Sequence, residues 1–425
     1  MEELDIKHQQ HESVEKRIVA LNNELVSTAK GIHILEHLSW PKEIQHHFLS
    51  NWRRGHVALP EVSYKTVDLS EKVEKLERIA KEASDLDMPL ANYLSETALS
   101  YSAIAKLMMH AGTPRAGELS IEIYGQPGNL IPGSKQTNLD AAKYFVEVSK
   151  AYVVEQADES IFILSAENVA SDMQQRISSV ITDDSIAVTI DPHLASKAAA
   201  GATRIRLRGE TLFSKNDVEQ LLQHEAFVHS LTALNGRKQP LLTAFSLGAP
   251  RTTAAQEGLA TFAELVTGVV DVARMERIAL RVMAIDSALS GANFIDVFQL
   301  FIDGGHSEVE SFNSTMRVFR GVPLTGGYAF TKDVVYLAGL LEVHTFFRWA
   351  LVNHKMHLCE LLFAGRMKLT DVLALEDVYQ SGTISRPAYL PPWIKDTRSL
   401  TAYLAFAVFS DAILVADVES DAFNV

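Results

Sequence analysis

The feature that most restricts the fold of this chain is a short β-type region between two long helical ones. Near the N-terminus, Val14, Ile18 and Leu21 recur at helical spacing and form an apolar stripe. Four segments in the middle of the chain are short and rich in β-branched residues, and we predict them to be strands: 117–125, 160–166, 185–191 and 202–209. The sequence therefore predicts an α+β fold that is mostly helical and contains a small mixed or antiparallel sheet.

Helical sequence resumes near residue 214 and continues almost to the C-terminus. In the N-terminal region, residues 68–86 form a second amphipathic segment, whereas residues 39–63 carry Pro41 and Pro60 and are predicted to be irregular. Three breaks rich in Gly or Pro interrupt the C-terminal helices, at 235–251, 320–332 and 381–396. With 425 residues, the chain is longer than one typical domain. We expect an N-terminal helical region, 1–112, and a second domain with a helical C-terminal part, 113–425.

Charge and cysteine content exclude several classes of function. The formal net charge is −14, from 39 basic and 53 acidic residues, which argues against binding to nucleic acid or to anionic membranes. The single cysteine, Cys359, excludes an intramolecular disulfide and a cysteine-based metal site.

The most apolar stretch, 400–418, is interrupted by Asp411 and Asp417, so we expect a buried helix there. Because the N-terminus lacks the apolar core of a secretory signal, we expect a cytoplasmic protein. The oligomeric state is left open.

Three residues on one predicted helix have the chemistry of a metal site. Ser214 and Asp217 resemble a capping box, and the helix that they begin carries His224, Glu225 and His229. Zinc takes imidazole ligands, and a carboxylate beside the first ligand can accept a proton from an activated water. The spacing is one residue longer than in H-E-x-x-H, which would place the two histidines roughly 140° apart on a regular α-helix. Metal binding therefore predicts a π-type turn between them.

A third ligand is expected from the next helix, which the sequence places at 251–268. Glu257 lies in its first turns and is the candidate. Gly258 has no propensity advantage in a helix, so we predict that it allows close approach of a neighbouring backbone. Glu264 lies seven residues after Glu257, on roughly the same face, and could orient a histidine ligand.

These segments resemble a known family. QEGLA (256–260) matches the signature of the QEGLA-motif proteins, once named for modulating flavohaemoglobin expression, and HEAFVH matches their H-E-x-x-x-H motif. The family is related to the microtubule-associated tyrosine carboxypeptidases, and the similarity spans about 115–350. The resemblance implies a zincin-like zinc metallopeptidase with His224, His229 and Glu257 as Zn²⁺ ligands and Glu225 as the base. It leaves the substrate open, because the acidic chain would repel acidic tubulin tails.

A carboxypeptidase also needs an oxyanion donor and a cation for the terminal carboxylate of its peptide or protein substrate. Tyr328, in a Gly-rich segment, and His344, on the following helix, are candidate donors. Arginine fits the second task through its bidentate geometry. Five basic residues are candidates, and one or two of them are expected to bind the carboxylate: Arg204, Arg206, Arg208, Arg320 and Lys332.

Two other functions are compatible with the sequence. The first is a regulatory protein without catalytic activity, in which zinc is structural or absent. Structural sites are usually closed by four protein ligands, and only three are evident here, which favours an open catalytic site. The second is an endopeptidase or aminopeptidase of the same fold. An aminopeptidase would need an acidic cluster for the free amine, and no such cluster is evident.

Overall fold

The N-terminal part of the chain is helical in this computed structural model, which describes residues 2–152, 163–192, 194 and 197–413. The first eight helices are α1 (Glu2–Ala29), α2 (Ile34–His37), α3 (Lys42–Arg53), α4 (Ser70–Ser84), α5 (Pro89–Met109), α6 (Pro114–Tyr124), α7 (Asn138–Ala151) and α8 (Ala166–Val180). The predicted helical character of the first 110 residues is confirmed.

Two local predictions in this part are wrong. The stretch 39–63 is not irregular throughout, because α3 begins directly after Pro41, where the missing amide hydrogen costs no helical bond. The predicted strand 117–125 is the helix α6. Its buried residues recur at helical spacing; they are Ala116, Gly117, Leu119, Ser120 and Tyr124. Burial of this helical face overrides the β propensity of Ile121 and Ile123.

The sheet is small and mixed. It contains β1 (Ala187–Asp191), β2 (Ala198–Ala200) and β3 (Arg204–Arg208) in the order β1-β3-β2, with β1 parallel and β2 antiparallel to β3. The strands predicted at 185–191 and 202–209 are confirmed, whereas the alanine strand β2 has no β-type sequence. Of the segment 160–166, residues 160–162 lie outside the described residues. Its described part forms one isolated bridge, from Leu164 to Phe213, and α8 begins at Ala166.

The C-terminal half is again helical, as predicted. Its elements are α9 (Lys215–Leu221), a π-helical segment (Leu222–Ser230), α10 (Leu231–Arg237), α11 (Thr253–Val266), α12 (Val272–Leu289), α13 (Phe294–Asp303), α14 (Glu308–Phe319), α15 (Val334–Val352), α16 (His357–Leu361), α17 (Leu369–Ala374), α18 (Glu376–Gln380), α19 (Pro392–Lys395) and α20 (Arg398–Ser410). The three predicted breaks hold only short 3₁₀ turns, the one-turn helix α19 and the ends of neighbouring helices.

Helices α11 and α15 approach closely at two glycines. A Cβ atom on Gly258 would lie 2.2 Å from the carbonyl carbon and oxygen of Gly339, and one on Gly339 would lie 2.1 Å from the carbonyl oxygen of Ala254. Any side chain at either position would collide with backbone. The prediction that Gly258 permits close backbone approach is therefore confirmed, and this contact fixes the helix that carries Glu257.

One described segment, Thr331–Val352, is long and apolar enough to cross a membrane, but 56% of its apolar window is buried inside the fold. The segment includes α15, and the contact of α15 with α11 makes α15 a core helix.

The stretch 400–418 was expected to be buried. Its described part belongs to α20, which buries Leu400 and Leu404 but leaves Phe406 and Phe409 each 72% exposed. That expectation is therefore met only on one side of the helix.

The N-terminal helices share a hydrophobic core with the rest of the described chain. Polar contacts also cross the expected domain boundary at 112. The Gly112 amide donates to the Gly321 carbonyl at 2.9 Å, and the Tyr93 hydroxyl donates to the Arg366 carbonyl at 2.8 Å. The N-terminal helices therefore support the loops that surround the candidate site.

Candidate metal centre

A distorted helix brings the two motif histidines together. Ser214 and Asp217 form a capping box, with hydrogen bonds of 3.0 and 2.9 Å between side chains and backbone amides. The helix then changes from α to π over Leu222–Ser230, so that residues five apart align. The rings of His224 and His229 lie 4.8 Å apart, centroid to centroid. The π-type turn predicted from the motif spacing is confirmed.

Glu257 meets both histidines from α11. Its Oε2 atom lies 3.4 Å from Nε2 of His224 and 3.5 Å from Nε2 of His229, and one ligand atom from each residue lies within 4.8 Å of the others. Zinc bonds of about 2.0–2.1 Å in tetrahedral geometry place ligand atoms about 3.4 Å apart. The donor types and these separations therefore fit a zinc ion.

Glu264 fixes the orientation of His224. Its Oε1 lies 2.7 Å from Nδ1 of His224, and it also accepts hydrogen bonds from Arg274 and Gln220. Because the carboxylate of Glu264 holds Nδ1, Nε2 is the nitrogen that would bind a metal after it loses its proton. Burial opposes ionisation of Glu264, but the hydrogen bond from His224 and the charge of Arg274 lower its pKa to about 2. The predicted contact between Glu264 and a motif histidine is confirmed.

Two of the clustered residues, Glu257 and His224, have strongly shifted pKa values. Burial opposes ionisation of Glu257, but Lys332 and the two histidines hold the pKa of its carboxyl well below 4.5. Burial disfavours the charged form of His224, yet Glu257 and Glu264 raise its pKa well above 6.5. Without a metal, this centre therefore holds a proton on His224, which a metal ion would displace.

Arg366 supports the π-helical segment from a distant part of the sequence. Its Nη2 donates to the carbonyl oxygen of His229 at 2.9 Å, whereas its Nε has no hydrogen-bond partner among the described residues. Burial lowers the pKa of this guanidinium, and the nearby carboxylates of Glu257 and Glu225 partly offset that effect. The sequence analysis missed Arg366, because no local motif surrounds it and its contact spans 137 residues.

The strand arginines lie on the solvent side of the sheet. Ile205 and Leu207 are fully buried, so the alternating Arg204, Arg206 and Arg208 face the opposite way. Arg206 pairs with Asp191 at 3.2 Å, and Nε of Arg208 donates to Thr211 at 2.8 Å.

The other two basic candidates lie at the ends of the loop before α15. Nζ of Lys332 donates to Oε1 of Glu257 at 3.1 Å, so this residue contacts the candidate metal cluster formed by His224, His229 and Glu257. Arg320 is only 7% exposed and lies over the ring of Phe330, with its guanidinium carbon 5.0 Å from the ring centroid. The end of the loop 320–332 therefore places the charge of Lys332 beside the candidate centre.

The two candidate oxyanion donors lie in different surroundings. Tyr328 packs against α6, where a Cβ on Gly117 would lie 3.1 Å from the Tyr328 Cβ. Nε2 of His344 lies 3.2 Å from the hydroxyl of Tyr403 on α20, and its ring contacts Phe262. Among the described residues, the contacts of the His344 ring are with Phe262 and Tyr403, and none joins it to the candidate metal cluster.

Comparison with known proteins identifies the family. A search of curated proteins finds no significant match. The family model described as microtubule-associated tyrosine carboxypeptidase matches residues 46–412, which is most of the chain and more than the 115–350 similarity in the sequence motifs. Membership implies a carboxypeptidase-type enzyme with a peptide or protein substrate. The chain belongs to the microtubule-associated tyrosine carboxypeptidase family.

Proposed function

We propose that this protein is a zinc-dependent carboxypeptidase that removes residues from the C-termini of peptides or proteins. The observation that carries the proposal is the convergence of His224, His229 and Glu257 at separations that suit one zinc ion, with Glu225 next to the first ligand. Three protein ligands leave a coordination position for a reactant, as in catalytic zinc sites. A zincin-like fold belongs to the same proposal.

Glu225 is the proposed proton carrier. A zinc ion in this centre would act as a Lewis acid and lower the pKa of a water molecule. Glu225 would accept the proton of the attacking water and later deliver it to the leaving amine. Its carboxylate lies close enough to His224 and Arg366 to favour the charged form of each, so Glu225 borders the centre.

The oxyanion donor remains a proposal with one favoured candidate. Tyr328 lies in the loop that ends at Lys332, which contacts Glu257, so its segment borders the metal cluster. His344 was proposed as an alternative, but its ring nitrogen already lies within hydrogen-bond distance of the Tyr403 hydroxyl. We therefore propose Tyr328 for this role.

The substrate is proposed to be a free peptide C-terminus. The family description names tyrosine carboxypeptidases, which makes tyrosine the first residue to test. The net charge of −14 favours substrates that are less acidic than tubulin tails. A cytoplasmic location, without nucleic acid or membrane as a partner, belongs to the proposal.

Metal analysis and a cleavage assay test the proposed function together. Purified protein should contain one zinc per chain and release single residues from peptides with a free C-terminus. Glu225→Gln should keep zinc and lose cleavage. Glu219→Gln is a matched control, because Glu219 lies six residues earlier and pairs with Arg176 instead. Unchanged cleavage after complete zinc removal would refute the proposal, and cleavage of peptides with amidated C-termini would indicate an endopeptidase or aminopeptidase.

A further inference from the structure

Lys332 is a buried lysine that holds one oxygen of a candidate metal ligand. It is 9% exposed, and its Nζ donates a hydrogen bond to Oε1 of Glu257 at 3.1 Å. The other oxygen of that carboxylate, Oε2, lies 3.4 Å from Nε2 of His224 and 3.5 Å from Nε2 of His229. The two oxygens of Glu257 therefore have different partners, an ammonium group on one side and two imidazole rings on the other.

The backbone on both sides of Lys332 is anchored. Lys332 lies in a 3₁₀ turn directly before α15. The amide of Thr331 donates to the side-chain oxygen of Ser120 at 2.8 Å, and the Thr331 hydroxyl donates to the Ser120 carbonyl at 2.9 Å. On the other side, Asp333 accepts two hydrogen bonds from Arg317, at 2.6 and 2.7 Å. The side chain of Lys332 therefore extends from a fixed position.

The helix that carries Glu257 is fixed to the same part of the fold. Gly258 directly follows Glu257, and a Cβ atom at Gly258 would lie 2.2 Å from the carbonyl of Gly339 on α15. Helix α15 begins two residues after Lys332, and the ring of Tyr336 near its start has its centroid 5.1 Å from the lysine Nζ. The close packing of α11 on α15 therefore sets the distance between the lysine and the carboxylate.

The carboxylate next to Lys332 in sequence has other partners. Asp333 is paired with Arg317, and Nε of Arg281 lies 3.9 Å from it. A carboxylate that is bound bidentately by one arginine and approached by another has most of its capacity in use. A buried ammonium group needs an anionic partner. Among the described residues, Glu257 is the carboxylate to which Lys332 donates a hydrogen bond.

This contact affects how Glu257 can bind a metal ion. A carboxylate ligand can use one oxygen or both. If both oxygens of Glu257 bound zinc, they would fill the position that a catalytic site keeps open for a reactant. The ammonium group on Oε1 opposes that mode, because it competes with the metal ion for this oxygen. Hydrogen bonds to a ligating carboxylate commonly fix its orientation in this way.

We propose that Lys332 is a positioning residue that restricts Glu257 to one oxygen, Oε2, in the binding of zinc and so keeps the fourth coordination position free. This role rests on the proposed zinc-dependent function and specifies how the centre is kept open. In this role Lys332 acts through Glu257 and does not itself contact the reacting atoms.

The visible spectrum of the cobalt(II)-loaded, full-length protein tests the positioning role. Cobalt(II) can replace zinc, and it absorbs visible light strongly in a tetrahedral site and more weakly when further ligands are added. The wild-type protein should show the strong absorption. In Lys332→Met, Oε1 would become a buried anionic oxygen without its partner, which is costly. Glu257 should then bind through both oxygens, and the absorption should fall severalfold.

Lys238→Met is the matched control, because Lys238 pairs with Asp184 at 2.7 Å instead. Its cobalt spectrum should match that of the wild type. For Lys332→Met we also expect kcat to fall roughly 10–100-fold with little change in KM. An unchanged spectrum of Lys332→Met would overturn the positioning role. A raised KM with an unchanged spectrum would assign Lys332 to substrate binding and would overturn it as well.

The wild-type protein provides a second test that does not depend on the folding of the variant. In crystals of the zinc-loaded protein, Nζ of Lys332 should stay within hydrogen-bond distance of Oε1, and Oε1 should lie outside bonding distance of the zinc ion. Binding of zinc through both oxygens of Glu257 would overturn the proposal. Failure of the wild type to bind either metal would overturn the positioning role and the proposed function together. If the spectra behave as expected but no peptide is cleaved, the positioning role stands and the proposed carboxypeptidase function fails.

Discussion

Replacement of Glu264 by Gln is the perturbation whose effect the structure defines best. Glu264 has no exposed surface, and its carboxylate accepts hydrogen bonds from His224 at 2.7 Å, from two Arg274 nitrogens at 3.2 Å, and from Gln220 at 3.3 Å. Gln has nearly the same size and retains an acceptor oxygen. The substitution therefore removes mainly the charge that orients His224 and balances Arg274.

The pKa of Glu264 gives the magnitude. Its decrease from 4.5 to about 2 corresponds to about 3 kcal/mol of stability at neutral pH. Because the folded pKa is depressed, this contribution is present above pH 4.5 and is lost as the pH falls toward 2. We expect Glu264→Gln to destabilise the zinc-free protein by about 2–3 kcal/mol at neutral pH. We also expect its zinc affinity to fall about 10–100-fold, as for other residues that orient a histidine ligand.

Two measurements check this prediction. Urea unfolding of the zinc-free protein gives the free energy of unfolding, and competition with a chelator gives the zinc affinity. Glu225→Gln serves as the control, because Glu225 is next to His224 in sequence but has no hydrogen bond to it among the described contacts; it should keep its zinc affinity. If Glu264→Gln bound zinc as tightly as the wild type, the proposed orienting role of Glu264 would be wrong.

Three further predictions follow from the same geometry. The pKa of His224 is raised well above 6.5, so zinc binding should release protons and weaken as the pH falls through neutrality. Titration calorimetry in buffers of different ionisation enthalpy should detect this proton release. Zinc binding that releases no protons would contradict the prediction. Gly258→Ala should lower the free energy of unfolding by about 3 kcal/mol or more, because its Cβ would lie 2.2 Å from the α15 backbone. Gly128→Ala has no atom within 4 Å of its Cβ and should change the free energy of unfolding by less than about 0.5 kcal/mol. Equal effects of the two variants in urea unfolding would refute the steric argument. Arg366→Met removes the donor to the His229 carbonyl and should weaken zinc binding about tenfold in a chelator competition; unchanged affinity would mean that the π-type turn holds without this contact.

The fold was predictable where local pattern and packing agree. Ile205 and Leu207 alternate with arginines in sequence, and they face the core of a real strand. In α6 the alternation of Leu119, Ile121 and Ile123 was misleading, because the buried residues recur at helical spacing, as at Ala116, Ser120 and Tyr124. Whether a short segment becomes strand or helix depends on partners far away in sequence, and these are not visible in the local pattern.

The convergence of His224, His229 and Glu257 was predictable because metal chemistry restricts the geometry of its ligands. The five-residue spacing of His224 and His229 suits one ion only if the helix widens, and the structure has that π-type turn. Glu257 followed from the need for a third ligand. Its partner Lys332 was identified only as a basic residue beside a Gly-rich loop, and its contact with Glu257 is a property of the fold.

Residues that act through long-range contacts were not predictable. Arg366 belongs to no chemical motif, and it reaches the site from a separate part of the chain. The strand arginines had the stronger sequence pattern for binding a carboxylate, because they share one face. The structure places that face toward solvent, whereas Arg320 and Lys332 are buried. No sequence pattern shows which of these basic side chains are buried.

The most direct test of the account is the position and ligand count of the metal ion in crystals of the zinc-loaded protein, measured by anomalous diffraction at the zinc edge. The account predicts one ion bonded to Nε2 of His224, Nε2 of His229 and Oε2 of Glu257 at about 2.0–2.2 Å, with the remaining position open to solvent and Glu225 outside bonding distance. An ion closed by a fourth protein ligand, or an ion bound elsewhere in the chain, would contradict it.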